Sequence, residues 1–540
     1  MTLGRLLLGA GLLLWGLDAF AQATPRQVRI SYSTPNPQTT MGITWNTDSA
    51  AVQFVEFGIN AVDENQVAAT LTDIGVGGLG KVNSVRLSGL TPNTTYRYRV
   101  GSDDDGWAPQ SSYFEFKTAP VDGCSSFRFV GLGDVRGDAY LDFMENSASE
   151  WVSVFDALMG DNPAFAFIAG DLVDDGHEAD QWHDFFNQGL NHYTELPVMP
   201  AFGNHDDGLN PAGDRELYEE LYTLPQQPDG RERYHHFVYG NVLLIGFNSD
   251  ENGLFQEQAD WMEQVLIDNP TTWKIVYFHH PIWTTTPGEL PEPIGCSVYC
   301  GHPSNEKGQN AYLVDLIDRY DIDVVLQSHN HFYERSDPLR GGGTHESMVQ
   351  MANHFRGTTN GVRNNEGVVE DWGSLYLVTG GGGAPMIPLT ELSNFQVRAP
   401  GSVIIDDNYH YMRFTVEDLE MKIEMVRSED RSVFDSVTIT KQEQYRQGVA
   451  CPEIPSTSTS TSTDTDTDTP TETNDPSNPT TATSPPSTNT GTTAPPPTDT
   501  DTGVTDESAA GCECSGVTGG AAPLLLLLWL ARRRSRKLRR

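Results

Sequence analysis

Two patterns of apolar and polar positions divide the chain. Between residues 25 and 120, VRISYS, MGITWNT, VQFVEFG, SVRLSGL, TYRYRVG and YFEFKT alternate and are rich in β-branched and aromatic residues. Turn clusters separate these runs at the spacing of a β-sandwich. Trp45 is the expected core anchor, and Tyr96 and Tyr98 share one strand face, where a tyrosine corner would lie. Between 124 and 451, longer apolar runs alternate with helical spacing, as in WVSVFDALM and AYLVDLIDRY. That alternation predicts an α/β domain whose sheet carries its site along one edge.

The second region places polar residues where its apolar runs stop. FRFVGLGD ends at Asp134 and FAFIAGD at Asp171, while PVMPAFGNHD reaches Asn204 and His205. KIVYFHHP carries His279 and His280, and DVVLQSHNH carries His329 and His331. Aspartate, asparagine and histidine offer oxygen and imidazole ligands suited to Zn, Fe or Mn. A carboxylate such as Asp171 can bridge two cations, and such a pair activates water for attack on a phosphoryl group. Each piece alone has a plain alternative: a GD turn, a helix cap in GNHD, or a satisfied polar pair in HNH. Five in this order, each at a run's end, point to a metal centre.

Composition narrows the function classes. The formal net charge of −40 argues against a nucleic-acid partner, which needs a basic face. Residues 1–23 have one early arginine, an apolar stretch and A-x-A-like small residues, the signature of a secretory signal peptide. Residues 456–510 are almost entirely Thr, Ser, Pro, Asp and Asn, so a disordered spacer is expected. Residues 511–540 hold a Cys pair, a short apolar run and a basic cluster. The run from Ala521 to Ala531 would span about 16 Å as a helix, short of a bilayer core of about 30 Å. Export permits disulfides among the six cysteines, with Cys124–Cys451 and Cys296–Cys300 as candidate pairs.

The ordered blocks GD (133–134), GD (170–171), GNHD (203–206), VYFHHP (276–281) and SHNHFYER (328–335) resemble those of the calcineurin-like metallophosphoesterases. Together with the preceding sandwich, which looks fibronectin type III-like, they are most similar to the purple acid phosphatases. The resemblance implies an α/β/β/α sandwich and two metal ions. It assigns Asp134 and His331 to the first metal and Asp171 to the bridge. Asn204, His279 and His329 fall to the second. His205 would bind phosphate and protonate the leaving oxygen; His280 is left between a structural and a phosphate-side role. The tail resembles the sorting signals of myxobacterial surface proteins, implying a cell-envelope anchor for a secreted protein tethered to the outer surface.

Two positions depart from the pattern. Asp174 stands where purple acid phosphatases carry tyrosine, and Arg136 where other metallophosphoesterases carry histidine. Asp174 is open as a ligand of the first metal, an orienting group or a solvated carboxylate. Arg136 is open as a phosphate contact or a salt-bridge partner, for instance of Asp138. Asp175, Glu178 and Asp180 belong to a helix start. The expected activity is hydrolysis of phosphate esters; the rival is a surface adhesin on a degenerate phosphoesterase fold. No G-x-S-x-G element supports a serine esterase.

Overall fold

The computed structural model describes residues 25–447, apart from internal stretches of which 286–309, 340–361 and 389–401 are the longest. The signal peptide, spacer and tail lie outside the described residues, as do Asp138 and every cysteine except Cys124. Among the described residues no helix is long and apolar enough to cross a membrane.

The alternating segments form nine strands: β1 (Arg26–Ser31), β2 (Met41–Thr47), β3 (Phe54–Gly58), β4 (Asn65–Ala68), β5 (Thr70–Asp73), β6 (Lys81–Leu87), β7 (Thr95–Ser102), β8 (Gly106–Ala108) and β9 (Phe114–Lys117). One sheet runs β1-β2-β6-β5; the other runs β4-β3-β7-β8, with β9 also on β7. Trp45, Tyr96 and Tyr98 are buried in this sandwich. The Tyr96 hydroxyl accepts from Thr91 N at 2.9 Å, closing the turn ahead of its own strand as a tyrosine corner does.

The second region begins with β10 (Phe127–Leu132), α1 (Ala148–Met159), β11 (Ala166–Ala169), α2 (Ala179–Gln188), α3 (Leu190–Tyr193), β12 (Val198–Ala201) and α4 (Leu217–Leu221). It continues through β13 (His235–Tyr239), β14 (Val242–Gly246), α5 (Phe255–Asp268), β15 (Trp273–Tyr277), α6 (Asn310–Arg319), β16 (Val324–Gln327) and β17 (Tyr333–Ser336). It closes with β18 (Val362–Arg363), β19 (Val368–Glu370), β20 (Leu375–Thr379), β21 (Ser402–Asp406), β22 (His410–Glu417), β23 (Glu420–Arg427) and β24 (Val433–Thr440). One sheet is ordered β12-β11-β10-β22-β23-β24-β19-β18, the other β13-β14-β15-β16-β20-β17-β21. In the second sheet, Leu244, Ile275, Tyr277, Val324 and Leu326 face the shared core. Leu243, Ile245, Val276 and Val325 face α5 and α6 instead. Both faces are covered, which is why these strands read as continuous apolar runs. Phe129 stacks between Phe165 and Phe414 at 4.8 Å from each, and Phe167 meets Tyr277 of the other sheet at 4.7 Å. The helix-flanked pair of sheets is the expected α/β/β/α arrangement.

Polar contacts lock the sandwich to the second domain. Buried Arg29 donates from Nε to Leu221 O at 2.5 Å and from Nη1 to Gln27 O and Asn46 Oδ1, both at 2.7 Å. Its guanidinium lies 4.1 Å over the Phe186 ring. Burial brings its pKa down to about 9. Tyr98 donates to Thr194 O at 2.6 Å, and Ser31 to Thr223 O at 2.7 Å.

Two buried histidines make stability depend on pH. Burial lowers His235 to about 3 and His410 to about 4. His410 donates from Nδ1 to Asn408 O at 2.8 Å and faces Thr379 Oγ1 at 3.1 Å. A folded-state pKa below the unfolded one means the unfolded chain binds protons first as pH falls. Stability therefore drops from about pH 6.5 towards pH 4, by roughly 2–3 kcal/mol for each such group. Urea unfolding across this range is expected to show that slope, and His410→Gln is expected to flatten it.

Candidate metal centre

The ends of β10, β11 and β12 in one sheet and of β15 and β16 in the other converge on one edge of the domain. Each strand stops in a turn that reverses the backbone and aims a side chain inward. Asp134, Asp171 and His329 adopt positive φ of 53°, 58° and 69°, rare for residues with a Cβ and common where geometry serves a site. Gly170, at φ 87°, has no room for a Cβ, which would lie 2.8 Å from His279 Nδ1. At Gly133 a Cβ would meet Ser328 Oγ at 1.9 Å. The glycines of both GD pairs are thus fixed by close approach.

Three candidate ligand atoms gather around His279 Nε2. His279 Nε2 lies 3.2 Å from Asp171 Oδ1, 3.0 Å from Asn204 Oδ1 and 3.1 Å from His329 Nδ1. His279 spends its other ring nitrogen donating to Ala169 O at 2.9 Å, which directs Nε2 into the cluster. Four lone-pair atoms this close repel one another unless positive charge sits among them. Without a metal, a proton on His279 supplies it. Burial would lower that pKa, but Asp171 and Asp134 outweigh burial and raise it to about 9. His329 is lowered to about 4 by burial and by His279. Burial would raise the Asp171 carboxyl, yet His279, His205 and Arg136 hold it well below the ordinary value. A divalent cation fits this donor set of two oxygens and two imidazoles.

A second group of donors lies beside it. Asp134 Oδ2 accepts from Ser328 Oγ and, at 2.8 Å, from His329 N. Asp134 Oδ1 is buried and has no hydrogen-bond partner, and His331 Nε2 lies 3.4 Å from it. His331 donates from Nδ1 to Pro385 O at 2.8 Å, so its Nε2 is the free ligand atom. An orphaned carboxylate oxygen beside a directed imidazole is what a bound cation would complete.

The structure brings His205, Asp174 and Arg136 to the same rim. His205 donates from Nδ1 to the Asp174 carbonyl at 2.6 Å, and its Nε2 lies 4.0 Å from Asp171 Oδ2. About a third of its side chain is exposed, so the ring can reach substrate. Arg136 Nη1 binds Asp174 Oδ1, and Arg136 Nε lies 3.3 Å from Asp171 Oδ2. The two side chains thus pair with each other across the rim. His280 is buried, hydrogen-bonded to Ser249 Oγ at 3.1 Å and packed 4.7 Å from the His329 ring. That geometry favours support of His329 over contact with phosphate.

Sequence reasoning passed over Asp206. Its buried carboxylate accepts from Asp171 N at 3.0 Å, Leu172 N at 2.7 Å, Val173 N at 3.4 Å and Gly203 N at 2.9 Å. Burial and the charge of Asp171 push its carboxyl upward, and these backbone donors pull it back. Its place at the end of GNHD was the available signal. Ser328 was likewise passed over, although its hydroxyl orients Asp134.

Residues 25–118 match the model of the purple acid phosphatase N-terminal domain, and residues 127–333 that of the calcineurin-like phosphoesterases. An uncharacterized protein of Mycobacterium tuberculosis is 26% identical over 335 residues, covering 56% of this chain and 58% of that protein. The chain thus spans little more than half that relative's length. The Arabidopsis thaliana protein named probable inactive purple acid phosphatase 1 is 24% identical over 457 residues, covering 76% and 68%. The purple acid phosphatase from yellow lupin (Lupinus luteus) seeds superposes with a TM-score of 0.59 at 21% identity, covering 80% of this chain and 77% of that one. At that identity, the structural likeness speaks to the fold alone.

Asp206→Asn would set an amide N–H₂ against backbone donors. We expect it to destabilise the protein by about 2–3 kcal/mol in urea unfolding. Metal affinity should fall by about tenfold or more in a titration, because Asp171 and Asn204 lose their shared tether.

Proposed function

We propose that this chain, which joins a purple acid phosphatase N-terminal domain to a calcineurin-like phosphoesterase domain, is a metal-dependent phosphoester hydrolase. The observation that carries the reading is the convergence of Asp171, Asn204, His279 and His329 on a shared point beside His205. The fold implies a dinuclear metal site, and the Asp/His cluster is its candidate. Asp171, Asn204, His279 and His329 would hold one cation; Asp134 and His331, with Asp171 between, would hold the other. When bound, these cations supply the Lewis acidity that polarises a phosphoryl group and makes water nucleophilic at neutral pH.

The chain's own residues do the rest. Asp171 sits between both sets of donors and fixes their separation. His205 has Nδ1–H committed to the Asp174 carbonyl, so Nε2 is the atom that carries a proton to substrate. Water attacks phosphorus, the bond to the ester oxygen breaks, and that oxygen takes the Nε2 proton as it leaves. The signal-like start, the Thr/Asp/Pro-rich spacer and the basic-ended tail support secretion and tethering at the outer surface. The substrate is a phosphate ester, with the acidic chain disfavouring nucleic acid as a standing partner.

Purified protein is expected to hydrolyse an aryl phosphate mono- or diester, to lose activity on chelation and to regain it with Zn, Mn or Fe. His205→Ala should lower kcat by about 10²–10⁴-fold while leaving metal content unchanged. Loss for a good leaving group such as nitrophenolate should be smaller than for an alkyl ester, which needs the proton more. Metal-replete protein that hydrolyses no ester would favour the adhesin reading.

A further inference from the structure

The two cation positions are not equivalent, and Arg136 makes the difference. At the first, the donors are Asp134 Oδ1, His331 Nε2 and Asp171, whose Oδ2 already faces Arg136 Nε at 3.3 Å. The guanidinium cannot swing away freely. Its Nη1 is bound by Asp174, its backbone N–H donates to Asp171 O at 3.1 Å, and its side chain is only 13% exposed. The other oxygen, Oδ1, faces His279 Nε2 at 3.2 Å and accepts from His205 N at 3.1 Å.

Charge points the same way. Asp134, Asp171 and Asp174 bring three negative charges to this rim, and Arg136 returns one positive. One dication offsets most of the remaining negative charge, to which the nearby Asp206 also contributes. A second dication would have to enter beside a fixed guanidinium in a buried, weakly screened site, where like charges repel strongly. With Oδ1 on Arg136, Asp174 has only Oδ2 left to offer as a ligand.

We propose that the Arg136–Asp174 ion pair stands in for the first cation's charge, so that this chain loads one divalent cation tightly and a second only weakly. The tight ion belongs among Asp171, Asn204, His279 and His329, whose mixed oxygen and imidazole donors suit Zn or Mn. The inference rests on the metal-dependent reading above and refines its stoichiometry.

The test is metal titration of the full chain, stripped and then reloaded with Zn or Mn, read by calorimetry and by elemental analysis after dialysis. Wild type is expected to retain about one equivalent and to bind a second at least 100-fold more weakly. Arg136→Gln, near in size and uncharged, is expected to tighten the second equivalent by tenfold or more. Arg136→Lys keeps the charge and is expected to stay near one equivalent. Circular dichroism checks that each variant folds. Two equivalents of similar affinity in wild type would overturn the proposal without recourse to any variant. So would an Arg136→Gln chain that folds and binds like wild type. Binding no metal at all would overturn both this inference and the reading beneath it. One tight equivalent with no hydrolysis of any ester would leave the stoichiometry standing and remove only the hydrolase.

Discussion

The metal centre depends on a buried carboxylate that touches no metal. Asp206 accepts four backbone N–H groups, three from the loop after β11 and one from Gly203 after β12. These donors belong to turns in which Asp171 and Gly170 have positive φ, so no regular ladder could satisfy them. Left unpaired, each would cost on the order of 1–3 kcal/mol. The carboxylate therefore does two things at once: it offsets that cost and it sets the spacing of Asp171 from Asn204. The strain of the left-handed turns is held by a group two residues beyond a ligand.

The same division between holding and ligating recurs at every donor. His279 is aimed by Ala169 O, His331 by Pro385 O, and Asp134 by Ser328 Oγ and His329 N. Three of these partners are backbone groups at or near strand ends, whose positions follow from the two packed sheets. Packing between the sheets, through contacts such as Phe167 on Tyr277, is thus coupled to ligand geometry. The sandwich adds its own constraint, since Tyr98 and Arg29 grip the α3–β12 connection and the end of α4.

Much of this was legible from one chain because strand ends carry chemistry in their residue types. Asp134, Asp171, Asn204, His279, His329 and His331 stood out as polar residues closing apolar runs, and the structure brings all six together. What was not legible depends on distance or on backbone conformation. Arg136 and Asp174 are 38 residues apart, and no periodicity links them. Asp206 looked like the tail of a motif because its partners are backbone groups, which leave no mark in side-chain type. The β22–β24 meander was also missed, since an α/β alternation gave no reason to expect three antiparallel strands beside β10.

Position 174 shows why a departure from a family pattern can be confined to one half of a site. Asp174 meets the rim in two ways: its carboxylate holds Arg136, and its carbonyl accepts the Nδ1 proton of His205. Only the first depends on the side chain. The carboxylate also lies 3.8 Å from His205 Nδ1, so exchanging the residue there alters charge beside both Arg136 and His205 while the backbone hydrogen bond to His205 remains. The second position is set apart as well, because Asp171 turns Oδ1 to His279 and His205 N, and Oδ2 to Arg136. The two oxygens of the Asp171 carboxylate therefore face different halves of the candidate centre, one shared with the Arg136–Asp174 pair and the other with His279.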